Sequence, residues 1–404
     1  MKHAAAAALV FLAFACKREP PPPPPTPPPA AAPTQQERDA QAGTDIDADN
    51  LLNIAYGANV VSRTGESHLE SSAIHAIDGF SPTSWASPPS GARQTIVFSL
   101  ASRARIERLG ITAFKESTPG KIRFDASLDG KHWRQIVVQN AVASNATQLV
   151  DVKPFEARYL RVETIDPASS YSYFRSVHAI GAEVAPPAPR TFAGTWTINN
   201  AFAHFEQNGA RITGFIHGDP IVFIDGGVDD RVARVTWHRG PVHGYAILST
   251  DPDTHTLSGL TLYDEIATQN VGEAWFGVAS RGELSVRPAD LNPGARFTMY
   301  GLAFDKEEHL LENLSRSTLD EAAQRIAGAA HARFRITSYE LRLDHPKERT
   351  AARVASIRAA LQKRGVDLSR IDFVAAGDQW KGPPIITAVQ RVLGSRVDLE
   401  RVGR

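Results

Sequence analysis

Between Asn59 and residue 288, apolar side chains recur at every second position in short runs, and glycine, proline or Asp-Gly closes most of them. QTIVFSL (94–100), RIERLGITAF (105–114), KIRFDASLDG (121–130) and ARYLRVETI (157–165) all read this way. A period of two sends alternate side chains to opposite faces of a strand, so this stretch is restricted to antiparallel sheet with a buried face. Helices would need apolar residues three and four apart, which these runs do not supply. Asp129-Gly130, between two such runs, has the composition of a tight hairpin turn.

Ala185-Pro186-Pro187-Ala188-Pro189 interrupts the pattern and reads as a linker. It divides the β region into 50–185 and 190–288. In the second part seven runs, from FAGTWTI to AWFGVAS, recur about every ten to twelve residues with glycine in most turns, which predicts a small antiparallel meander or barrel. From 294 to 404 the period alternates. RFTMYGLAFD (296–305), ARFRITSY (332–339), RIDFVAAG (370–377) and SRVDLERV (395–402) read as strands. TLDEAAQRIAGAAH (318–331) and ERTAARVASIRAALQKRG (348–365) read as helices. The order β-α-β-α-β-β predicts an α/β sandwich, so the chain is multidomain, all-β first and α/β last.

Ahead of these units, Met1-Lys2-His3 gives a positive start, Ala4 to Ala15 is continuously apolar, and Cys16 follows as the only cysteine. The apolar stretch is too short to span a bilayer and fits a secretory signal over 1–16. A lone cysteine cannot form an internal disulfide. Residues 17–49 form a linker, in which PPPPPPTPPPAAAP (20–33) removes backbone donors and fixes φ. As polyproline II, at about 3.1 Å per residue, the tract would hold the folded units roughly 40 Å from an attachment point. Lys plus Arg and Asp plus Glu both number 44, so no overall field draws the chain to nucleic acid, which is not expected as a partner.

Three segments resemble known families. Small residues leading into Cys16 are similar to the lipobox of bacterial lipoproteins, which implies acylation of Cys16 and an outer-membrane lipoprotein, periplasmic or surface-facing. AIDGFSPTSWAS (76–87), RIERLGI, IRFDASLDGKHWRQI, ARYLRVE and HAIGAEV together resemble the discoidin, or coagulation-factor type C, domain over 50–185. That resemblance implies a jelly-roll sandwich whose loops bind sugars, phospholipids or proteins, with Trp85 in the core. It also implies a structural Ca²⁺ held by Asp78, Thr83 and Glu183, hard oxygen ligands of the kind this ion takes; the plain alternative is that Asp78-Gly79 makes a turn. Candidate contact loops are Arg63 to Glu70 and Tyr171 to Phe174. Tyr171, Tyr173 and Phe174 either stack on a sugar face or tuck under the sheet.

Residues 294–404 resemble the OmpA-like peptidoglycan-binding domain through Ala303-Phe304-Asp305, RVASIRAAL (353–361), Lys363-Arg364-Gly365-Val366 and Arg396-Val397-Asp398-Leu399. The family clamps diaminopimelate between a helix Arg and a loop Asp, and Arg353 takes the first of these places. The second is Leu341 here, with Asp344 as its nearby substitute and Glu340 as another. His217, His238 and His243 have the spacing of hairpin residues rather than of a zinc site. No phosphate loop, nucleophile elbow or marked carboxylate pair is present, so the chain reads as a non-catalytic envelope protein. Its sandwich would bind carbohydrate and its C-terminal domain would approach peptidoglycan; the alternative is an assembly lipoprotein that binds other envelope proteins.

Overall fold

The computed structural model describes residues 50–403 except 81, 90–92, 115–119, 167–169, 188, 219, 254, 264–272, 281–295, 330, 342–344 and 380–386. Cys16, the proline tract and Asp344 lie outside the described residues.

The first unit contains β1 (Asn59–Arg63), β2 (Trp85–Ala86), β3 (Gln94–Thr112), β4 (Lys121–Ser127), β5 (Arg134–Asn140), β6 (Thr147–Asp166), β7 (Tyr173–Phe174) and β8 (Ser176–Glu183). β3 and β6 pair from Gln94↔Thr164 to Thr112↔Thr147, with a register slip between Ser99 and Ala104. A slip of this kind bends a ladder. On one side of it β3 carries β1 and β6 carries β4, with β5 beyond; on the other side β3 carries β8. Phe98, Phe124, Ile106 and Leu109 fill the space between the two halves and have no exposed surface. The ladder's two ends return to one place. Ser172 Oγ donates to Thr164 Oγ1 at 3.0 Å, and the Arg175 amide donates to the Thr112 carbonyl at 2.8 Å. Loops therefore gather at one end of the sandwich and the bend lies at the other.

The second unit is a closed barrel: β9 (Gly194–Ile198), β10 (Ala201–Asn208), β11 (Arg211–Ile216), β12 (Val222–Val228), β13 (Ala233–Arg239), β14 (Val242–Thr250), β15 (Thr256–Tyr263) and β16 (Ala274–Ala279), with β16 returning to β9. Seven runs are legible in the sequence, and the strand that escapes is β10. It is joined to β9 by Asn199-Asn200, at φ 46° and 68°. Two left-handed residues are what a two-residue hairpin requires, and Asn accepts that conformation without the plainer signal of glycine. An eight-stranded barrel is just wide enough for side chains to fill it; Trp196, Phe205, Ile224, Val235 and Trp237 do so.

β14 and β15 are buried on both faces. Ala246, Leu248 and Leu257 join the barrel core, while Tyr245, Ile247, Leu260 and Leu262 join the core of the sandwich. Each such aliphatic side chain, fully buried, contributes about 1.5–3 kcal/mol. The linker at 185–189 thus joins two units that share a core rather than separating beads on a string.

The last unit runs β17 (Arg296–Thr298), α1 (Glu312–Gly328), β18 (Arg333–Tyr339), α2 (Pro346–Lys363), β19 (Ile371–Gly377), α3 (Ala388–Gly394) and β20 (Val397–Gly403). Its sheet order is β17-β20-β18-β19; β18 and β19 are parallel and the other pairs antiparallel. The expected order of elements needs one correction, because α3 intervenes before the last strand. Its seven residues are too few for periodicity to reveal, but Thr387 and Gln390 form a capping box at its start. Ala388, Val389, Val392 and Leu393 of α3 enter the core shared by sandwich and barrel. No described helix is long and apolar enough to cross a membrane.

Candidate functional site

At the loop end of the sandwich, the two segments singled out as contact loops are brought together through β2. The Ser67 amide donates to the Ala86 carbonyl at 2.9 Å, and Ala86 pairs with Tyr173. Arg63 and Glu66 form an ion pair at 2.7 Å, and Glu66 Oε1 accepts from Ser72 Oγ and the Ala73 amide, which fixes the loop's shape. The three aromatic side chains separate in role. Phe174 belongs to the core, 5.0 Å from Trp85, which is itself buried there as the resemblance implies. Tyr173 is half-buried with its ring 5.0 Å from Phe114, and Tyr171 is 42% exposed.

Two further residues complete this surface: Phe114 and Arg175, whose guanidinium lies 4.6 Å from the Phe114 ring centre. Phe114 ends an apolar run and looks like another core position in the sequence. Only the register, which stops at Thr112, places it beyond the sheet. Aromatic faces beside a guanidinium and exposed loop polar groups suit a pyranose, whose C–H face stacks while its hydroxyls take hydrogen bonds.

The three residues expected to hold calcium divide between two sets of partners. Asp78 Oδ2 accepts from Thr83 Oγ1 at 2.8 Å and faces His75 Nδ1 at 2.9 Å, and its Oδ1 accepts from the Phe80 amide. Asp78 and Thr83 are therefore brought together, in a turn that already uses both carboxylate oxygens. Glu183 is engaged elsewhere: both its oxygens accept from Arg231 at 2.7 Å. A carboxylate paired with a guanidinium has its charge neutralised, where calcium needs it free.

The expected peptidoglycan clamp is also internally occupied on the side the structure describes. Arg353, on α2, is 7% exposed and bonds Glu308 Oε2 at 2.5 Å and Glu340 Oε2 at 2.8 Å. Glu308 takes Arg349 on its other oxygen, and Glu340 accepts from Ser395 Oγ. Leu341, at the loop place the resemblance assigns to Asp, gives its amide to Ser395 Oγ. Glu308 was not singled out from the sequence. It sits at φ 63°, where a turn between Asp305 and His309 points its side chain back under α2.

In the barrel, His238 and His243 are cross-strand partners and His238 stacks on Phe223 at 5.2 Å, while His217 is exposed beyond β11. Burial is the main force lowering the His238 pKa, followed by the nearby His243. Asp225, in the middle of β12, pairs with Arg211 at 2.7 Å, and Asp229 caps the turn before β13.

Among solved structures, similar ones include the C-terminal domain of a chitobiase from Bacteroides fragilis (23% identity over 32% of this chain and 96% of that one, TM-score 0.31). Another is CpGH89CBM32-5 from Clostridium perfringens in complex with GalNAc-beta-1,3-galactose (18% identity, 33% and 99% coverage, TM-score 0.29). A third is the family 32 CBM of C. perfringens NanJ in complex with galactose (18% identity, 31% and 94% coverage, TM-score 0.28). No curated protein matches the chain. Residues 58–177 match the F5/8 type C domain family, and the bent β3–β6 sandwich is this chain's F5/8 type C domain.

Proposed function

We propose that this chain is a non-catalytic, lipid-anchored envelope protein that binds carbohydrate at the loop end of its F5/8 type C domain. The observation that carries the reading is the surface of Tyr171, Tyr173, Phe114 and Arg175, with an exposed tyrosine at the tip of a domain of this family. A glycan array probed with the full chain tests it, beside Tyr171→Ala. Glycan binding that falls at least tenfold in the variant, with the melting temperature unchanged, supports the reading; equal binding by both proteins removes it.

The membrane anchor rests on the apolar stretch before Cys16, and acyl labelling that disappears in Cys16→Ser is its test. The strand order β17-β20-β18-β19 supports an OmpA-like sandwich at the C-terminus. The occupied state of Arg353 favours the alternative, an assembly lipoprotein that binds other envelope proteins and uses this unit as a scaffold, over a peptidoglycan clamp. Co-sedimentation of the full chain with isolated peptidoglycan separates them: protein in the pellet restores the clamp, and protein in the supernatant supports the scaffold.

A further inference from the structure

At the bend of the β3–β6 ladder, the end of the sandwich away from the loops, the chain leaving β8 crosses a cavity of about 380 Å³. Arg103, Arg158 and Arg190 line it together with Ser102 and Thr191. Arg190 is 7% exposed and ties the two β units: its Nη1 donates to the Thr250 carbonyl at 3.0 Å and its Nη2 to the Ala101 carbonyl at 2.6 Å. Its Nε has no hydrogen-bond partner.

Carbonyl dipoles offset only part of the cost of burying a guanidinium, which ordinarily has a carboxylate beside it. Among the described residues no carboxylate forms an ion pair with Arg190 or Arg158; Arg103 alone of the three has one, to Glu156 at 3.4 Å. Asp251 and Asp253 are close enough to act on Arg190 through space but form no ion pair with it, and each has one oxygen engaged elsewhere. Asp251 Oδ1 accepts from the His255 and Thr256 amides, and Asp253 Oδ2 accepts from the Tyr159 hydroxyl. Burial and then the like charge of Arg158 depress the Arg190 pKa, and these two carboxylates do not restore it. The cavity is built to gain from an anion.

Its walls narrow the class of anion. Pro252 and Leu128 give an apolar side, and Ser102 and Thr191 give hydroxyls, within a volume suited to a sugar ring. We propose that this cavity is a second binding site, specific for a carboxylate-bearing sugar, with the carboxylate held by Arg158 and Arg190. It is separate from the loop-end site and does not depend on it.

Calorimetric titration of the full chain with glucuronate, glucose and inorganic phosphate tests the assignment, using Arg158→Ala and Tyr171→Ala. Arg158 is half-buried and outside the core, so its removal is expected to leave the melting temperature in place. The expected result is glucuronate binding that weakens at least tenfold in Arg158→Ala and is unchanged in Tyr171→Ala, with glucose binding indifferent to Arg158. Glucuronate binding indifferent to Arg158, or absent at millimolar concentration, overturns the site. Phosphate binding as tightly as glucuronate overturns its assignment to a sugar.

Discussion

Arg353 Nη2 donates to Glu340 Oε2 at 2.8 Å, and Glu340 has no exposed surface. A carboxylate this buried is stable only while its guanidinium is present. Removing one partner of a buried pair leaves the other charge uncompensated, at a cost of about 3–5 kcal/mol. Arg353→Ala is therefore expected to act on stability, lowering the urea midpoint and with it the unfolding free energy by an amount of that order. Should the variant keep its midpoint yet lose peptidoglycan from a sedimenting complex, the arginine is a ligand contact and the scaffold reading fails.

His178 supplies a pH dependence. It is fully buried, with Nε2 2.9 Å from both Thr112 Oγ1 and Ser176 Oγ, and burial pushes its pKa from 6.5 down to about 4. Between these values the unfolded chain binds a proton that the folded chain refuses, so stability falls as pH drops from about 6.5 to 4. The size of the shift corresponds to about 3 kcal/mol over that window. Other groups titrate there too, so the measurement is the difference between wild type and His178→Gln in chemical denaturation at pH 7 and pH 4. The wild type is expected to lose more stability than the variant; parallel losses would show that His178 is not the source.

Glu183 and Arg231 join β8 to the loop before β13, across the boundary of sandwich and barrel. Both are about a quarter to a third exposed, so the pair contributes only about 1 kcal/mol despite its two-bond geometry. The more telling consequence concerns calcium. With Glu183 held by Arg231 and Asp78 by His75, Thr83 and the Phe80 amide, neither added Ca²⁺ nor EDTA is expected to move the melting temperature. A calcium-dependent rise, which an ion bound only by the folded state must produce, would return Asp78, Thr83 and Glu183 to a metal.

What was legible in the sequence was local. Period-two runs fix strands, because each residue's face follows from its neighbour two places on, and the resemblance to the discoidin domain implied a core place for Trp85. What escaped depends on partners far along the chain. Glu308 meets Arg353 across 45 residues, and no local pattern announces that a clamp arginine is already occupied. Phe114 and Arg175 form one surface only because the chain after β7 returns to the end of β3, some sixty residues earlier. The double burial of β14 is visible in retrospect as YAIL, apolar on both faces, but the sequence does not say which neighbour covers the outer one.

The contact between barrel and C-terminal unit makes the last prediction, at Gly227. A Cβ there would lie 1.8 Å from the Tyr300 carbonyl oxygen and 2.5 Å from the Gly301 amide nitrogen, backbone atoms that no rotamer change can move away. Gly227 has no left-handed φ, so its need for glycine comes from close approach and not from strain. Around it, Tyr300 donates its hydroxyl to the Leu393 carbonyl, and Arg234 donates to the Ser395 carbonyl at 2.7 Å. Adding one methyl must therefore push apart strand β12 and the segment after β17, with α3 behind them. Overpacking of this kind costs about 1–3 kcal/mol. Gly227→Ala is expected to lower the melting temperature and to speed amide exchange in α3 and β17, while the glycan binding proposed for the loop end of the sandwich stays the same. Unchanged exchange in α3 would mean that the C-terminal unit does not rest on the barrel through this contact.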